Sequence, residues 1–231
     1  MYSLIGSIVA YALNNHFSSF EPLFVPRAHS NIYTLKEYVE DLTDMYRDSI
    51  IAGGGDPDDA SARRNYWRFA WWQYTMTSPD LLRNRVALAL SEILVISEVP
   101  DLISEPLGLS SYYDVLLKHS FGNYRDLLYE VTLHPTMGIY LTHLRNEKTD
   151  REENTYPDEN YAREIQQLFS IGLYELNIDG TRKLDGLGDP IPTYDNDDIA
   201  EFAKVFTGLA FGDSEQFWNG AQTDTSYTIP M

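Results

Sequence analysis

A mainly α-helical, irregular multi-helix domain is the fold class this chain predicts, on three observations. Apolar residues recur at helical spacing along most of its length, helix-starting residues stand ahead of those runs, and glycine or proline stands where they stop. At 231 residues with 43% hydrophobic content, the chain can bury an ordinary packed core as one large domain or two small ones.

The elements follow in order. Residues 1–13 form an apolar run with small Ala10 and Ala12, similar to an export signal but without a basic start, and read as a packed helix. Thr34 and Glu37 make a capping box ahead of Leu35, Tyr38, Val39, Leu42, Met45 and Tyr46, and Gly53, Gly54 and Gly55 end that helix. Residues 58–76, rich in Trp67, Phe69, Trp71 and Trp72, read as a second helix. Ser78 as cap, Pro79 at the first helical position and Asp80 on the dipole open an apolar helix over 81–95. Ser111 with Asp114 starts a helix that ends near Gly122; residues 123–133 follow, His134-Pro135 breaks the run, and 136–144 resumes it.

After an acidic loop over 146–156 comes a helical segment, 157–173. Asp179-Gly180 and the turn formers at 186–189 predict a short β-hairpin or an ordered loop near 176–194. Asp195 then caps a last helix, 199–207, stopped by Gly208. The chain divides into an N-terminal helical segment (1–60), a helical core (61–210) and the start of a further, truncated region (211–231) with aromatic residues but no helical period. The expected core includes Leu81, Val86, Leu90, Leu116, Leu127, Ile165 and Leu168.

Charge narrows the function. Lys and Arg number 17 and Asp and Glu 35, a net charge of −18 that repels nucleic-acid backbones and anionic membranes. The acidity suits solubility in a salty or extracellular setting, or else cation binding. With no cysteine, disulfides, thiolate metal sites and a cysteine nucleophile are excluded. No run reaches the roughly 18 apolar residues a membrane span needs.

The densest polar pattern is P-D-E-N-Y-A-R-E-I-Q-Q-L-F-S-I-G-L. Asn160, Arg163, Glu164 and Gln167 fall on one helix face, and Tyr161, Ile165, Leu168 and Phe169 on another. Two readings stand side by side. The polar face is solvated and stitched by Glu159 and Arg163, a pair contributing about 0.2–0.5 kcal/mol; or its forked donors, carboxylates and amides recognise a polar or anionic ligand, with Arg163 and Glu164 as a buried clamp.

Other chemistry is thinner. His119, His134, His143, Asp158, Glu159 and Glu164 could ligate a metal, but no H-E-x-x-H or H-x-H spacing occurs, and neither metal nor cofactor is predicted. His134 reads as a helix-end cap. Residues 175–186 start like a calcium loop at Asn177, Asp179 and Gly180 but carry Gly186 where the bidentate acid belongs, so they read as a turn. There is no G-x-S-x-G, and Ser170 is a small residue inside a helix. Arg83 and Arg85 face different sides of their helix, so at most one joins the Arg163 face.

Five blocks in order carry a family resemblance: L-L-R-N-R-V-A-L-A-L-S-E-I-L-V-I-S at 81–97, Y-Y-D-V-L-L-K-H-S-F-G-N-Y-R-D-L-L at 112–128, H-P-T-M-G-I-Y-L at 134–141, the 157–173 block, and P-I-P-T-Y-D-N-D-D-I-A-E-F-A-K-V-F-T-G at 190–208. Together they closely resemble the bacterial domain-of-unknown-function family 1800 (DUF1800). The residues matching its signature are Arg83, Arg85, His134, Pro135, Glu159, Asn160, Arg163, Glu164, Thr207 and Gly208. The resemblance implies a mainly helical protein, commonly exported, usually longer than this chain, and often encoded beside a sulfatase-like protein. It implies no activity or cofactor.

Two functions remain. One is a non-catalytic exported binding or assembly module meeting a protein or glycan partner, the sulfatase-like neighbour among them. The other is a hydrolase of a polar extracellular polymer, with Glu164 or Glu159 as general acid or base and Arg163 holding an anionic group. Asn160, Arg163, Gln167, His134 and Arg83 are the candidate binding residues.

Overall fold

The computed structural model describes residues 34–60 and 62–231; the helix expected over 1–13 lies outside them. The protein is mainly helical. Helix α1 (Leu35–Ala52) starts at the predicted capping box, with Thr34 Oγ1 accepting from Glu37 N at 3.1 Å and Glu37 Oε2 accepting from Thr34 N at 2.8 Å. Two more of its free amides, Leu35 N and Lys36 N, donate to the carboxylate of Asp114 at 2.7 and 2.9 Å. Asp114 thus closes the end of a helix 79 residues away rather than starting its own.

Helix α2 (Tyr66–Thr77) begins eight residues later than the expected 58, where Asp56 and Pro57 start a separate 3₁₀ turn, Pro57–Asp59. It buries Tyr66, Ala70 and Tyr74 at four-residue steps. Helix α3 (Leu81–Ser91) is capped by Asp80, whose Oδ1 accepts from Arg83 N, and ends short of the predicted 95. Leu94 is buried beyond it, its carbonyl accepting from Tyr112 Oη at 2.7 Å.

Helix α4 (Pro106–Lys118) is the central element, packed against α1, α2, α3 and the two helices that come next. It begins at Pro106 in the first helical position, so Ser111 is a buried interior residue, not a cap. Ser111 Oγ donates to Gly108 O at 3.0 Å, as interior serines do. A helix apolar on nearly every side belongs in a core.

Helices α5 (Tyr124–Thr132) and α6 (Pro135–Tyr140) are capped by Asn123 and His134. Helix α7 (Asn160–Gln167) is shorter than the expected segment and packs on α8 (Asn196–Ala203), which starts at a capping box of Asp195 and Asp198. The 3₁₀ turn Asp224–Thr228 lies on α4 and α6, with Met231 N donating to Leu133 O at 2.9 Å. That contact is close: a Cβ added to Gly108 would come within 2.9 Å of Tyr227 Cβ. Of the expected core, Leu116 and Leu127 are buried and Val86, Leu90 and Ile165 half-buried. Leu81 and Leu168 are corrections: both are exposed, one at the first turn of its helix and one at the C-cap, beyond the faces that pack.

Between α7 and α8 the chain forms no sheet strand, only isolated antiparallel bridges at Tyr174–Pro192, Leu176–Arg182 and Leu184–Pro190. Their amides close a ring: Glu175 N donates to Ile191 O, Ile191 N to Lys183 O and Lys183 N to Glu175 O. Two arms leave this triangle, closed by Asn177 N to Thr181 O and Asp185 N to Asp189 O, and Thr193 N to Leu173 O closes the third corner where the chain enters and leaves.

Candidate functional site

The polar face of α7 exists as a face, and its side chains are partnered locally. Arg163 Nη2 lies 3.2 Å from Glu159 Oε2, one turn back, with the two side chains 41% and 43% exposed. The predicted Arg163–Glu164 clamp does not form, because Glu159 four residues earlier is in better reach. Asn160 is exposed; its backbone N donates to Asp158 Oδ1 at 2.8 Å and its Nδ2 approaches Thr142 Oγ1 at 3.5 Å. Gln167 is half-buried.

Glu164 differs from its neighbours. Its Oε2 is buried without a hydrogen-bond partner, and so is the hydroxyl of Tyr194, where the chain returns from the triangle to α8. Burial pushes the Tyr194 phenol up; Arg163 pulls it down and Glu164 pushes it up again, which places the three groups in one electrostatic neighbourhood. Gln166 Oε1, on the same helix, is buried without a partner as well, so α7 and its neighbour Tyr194 carry a small group of unsatisfied polar atoms.

The other two candidates belong elsewhere. Arg83 pairs with Asp80 through Nε at 3.0 Å, donates from Nη1 to Leu117 O at 3.0 Å and lies 5.1 Å from the Phe121 ring centroid, so it fastens α3 to the end of α4. His134 is buried. Its Nδ1 accepts from Thr136 N at 3.2 Å, which leaves Nε2 to donate to Ser111 Oγ at 3.1 Å, and burial lowers its pKa to about 3. It is a neutral strut between α4 and α6, the cap that the His-Pro pair implies.

A buried group whose place the sequence did not reveal, since His143 stood there only as a possible metal ligand, supports α7 from below. His143 is fully buried; its Nε2 donates to Thr132 O at 2.8 Å, its ring stacks on Tyr161 at 3.9 Å between centroids, and burial takes its pKa down to about 4. Tyr161 Oη bonds Thr132 Oγ1 at 2.7 Å, and burial pushes that phenol up to about 12. Thr142 and Arg145, on either side of His143, hold φ of 61° and 59°, a costly conformation for the β-branched Thr142. Asn146 completes the support, exchanging hydrogen bonds with the backbone of Asp158 at 2.8 and 3.2 Å just ahead of α7.

Among the described residues no group of three His, Asp or Glu side chains could hold a metal ion. The suspected calcium carboxylates cap turns instead. Asp179 accepts from Thr181 N and Oγ1, and Asp185 from Leu187 N and Asp189 N. A surface cleft of about 710 Å³ runs along α1 to the 3₁₀ turn at 224–228, lined by Glu37, Glu40, Asp41, Asp44, Arg47 and Asp224 among others. Glu40 pairs with Lys36 and Asp44 with Arg47. It joins residues from opposite ends of the chain, so no local pattern announced it.

The molecule is thus a helical domain that carries a bridge-closed insertion beside a polar helix face. It belongs to the family described as protein of unknown function, DUF1800, whose pattern matches residues 10–229. No curated protein and no solved structure matches it.

Proposed function

We propose that this protein is a non-catalytic binding or assembly module working outside the cytoplasm, where it meets a protein or glycan partner. The observation that carries this reading is the use of the candidate residues. Arg163, Arg83 and His134 spend their hydrogen bonds on Glu159, on the end of α4 and on the α4–α6 contact, and do not converge on a common point. A catalytic constellation needs groups that converge on one reacting atom. A sulfatase-like protein encoded nearby, which the family resemblance implies, is the first partner to test, by titrating it calorimetrically with the purified chain; saturable 1:1 heat is expected.

The hydrolase reading keeps one observation in its favour, the unpaired Glu164 Oε2 near Tyr194. Release of reducing ends from soluble acidic and neutral polysaccharides decides between the two. No release above the Glu164→Gln variant is expected; wild-type turnover abolished in that variant would replace the binding module with a hydrolase.

A further inference from the structure

We propose that the two arm tips, Ile178 and Leu187, are docking fingers for a protein partner that offers apolar pockets inside a basic rim. This rests on the binding-module reading and names its surface. Ile178 is 109% exposed and Leu187 89%. Each sits in a tight turn, Gly180 N donating to Asn177 O at 3.0 Å and Gly188 N to Asp185 O at 3.2 Å. Turns of this kind are built by Asn, Asp and Gly, and a large aliphatic side chain at the tip contributes nothing to them. Leu176 and Leu184, eight residues apart at the feet of the two arms, are exposed as well.

The arms hold their tips in place. The closed triangle fixes their bases, and Asp179 and Asp185 tie the turns to their own backbone amides. A docking element ordered before binding loses little conformational freedom on association.

Charge chooses the occupant. The turn hydrogen bonds, from the Thr181 hydroxyl to Asp179 and from the Asp189 amide to Asp185, hold both carboxyls below the usual range, so each apolar tip is flanked by a fixed negative charge. A net charge of −18 opposes both an anionic lipid surface and a second copy of the same chain. A glycan is met by stacking on aromatic rings, whereas these tips are aliphatic. A protein with apolar pockets and surrounding Lys or Arg satisfies both features.

The test places a photo-activatable benzoylphenylalanine at position 178 or 187 of the full chain, in the cells that make it, with position 43 in the acidic cleft as comparison. Both tips should cross-link to one protein, at peptides lining an apolar pocket bordered by basic residues. With that protein purified, Ile178→Ser combined with Leu187→Ser should weaken binding at least tenfold, raised salt should weaken wild-type binding, and the urea midpoint of the double variant should match wild type. Cross-links to a second copy, flotation with phosphatidylcholine or phosphatidylglycerol vesicles lost in the double variant, or a lowered urea midpoint would each overturn the proposal. Cross-links at position 43 with silent tips would overturn the docking fingers and leave the binding module standing. Polysaccharide turnover lost in Glu164→Gln would instead remove the reading beneath both.

Discussion

At the scale of single residues, partner choice is what separates this site from the one its sequence suggests. A buried Arg163–Glu164 clamp would make Arg163→Ala cost roughly 3–5 kcal/mol. The half-exposed pair with Glu159 predicts less than about 1 kcal/mol, read as a urea midpoint close to wild type. Glu164→Gln should be neutral or stabilising, since it removes a carboxylate whose buried oxygen no donor serves. A midpoint lowered by the equivalent of about 2 kcal/mol or more would show that Glu164 has a structural partner after all. The polar stripe itself was legible, because helical spacing alone creates it. Which carboxylate Arg163 would take depended on rotamers, and Tyr194, the unpaired phenol in the same electrostatic neighbourhood, comes from beyond the triangle that follows α7.

At the scale of elements, local chemistry was readable and remote chemistry was not. The caps at Thr34, His134 and Asp195 are decided within three residues and stand where the sequence places them, whereas Asp80, expected only to favour the dipole, takes the cap expected of Ser78, which ends α2 instead. Ser111 and Asp114 have the spacing of a cap, yet they sit inside α4, where Pro106 had already begun the helix. The carboxylate of Asp114 serves α1 instead, so Asp114→Ala strands two helix-end amides. That variant is expected to lose about 1–3 kcal/mol in chemical denaturation, with Asp114→Asn, which keeps one acceptor, losing less. The joint between α5, α6 and α7 was hidden for the same reason, since Thr132, His143 and Tyr161 meet only after the chain has folded back.

Across the whole molecule, buried titratable groups set the response to pH. His134 and His143 are neutral in the fold, with pKa values near 3 and 4, and in the unfolded chain each takes a proton below about 6.5. Their contribution to stability is therefore complete above about pH 6.5 and is lost as pH falls toward those values. Asp114 works in the opposite sense. Burial, only partly offset by the amides of Lys36 and Leu35, raises it to about 7, so its contribution is present below about pH 4 and is lost as pH rises through 7. Between about pH 4.5 and 5.5 the unfolded chain thus binds nearly two extra protons at histidine against one extra in the fold at Asp114. From these three groups, stability should climb by about 1.4 kcal/mol per pH unit, and in Asp114→Asn by about twice that. Urea titrations at pH 4.5, 5.0 and 5.5 on both proteins measure the two slopes; equal slopes would exclude Asp114 as the opposing group.

The triangle of amides between α7 and α8 also has a kinetic consequence. Because each of its three bonds holds the geometry of the next, none can open alone, and the amide protons of Glu175, Lys183 and Ile191 should exchange with solvent deuterium as one set, slowly and at a shared rate, while that of Ile178 at the arm tip exchanges freely. A stretch of chain with no sheet strand would then behave, on the clock of hydrogen exchange, as a single cooperative knot.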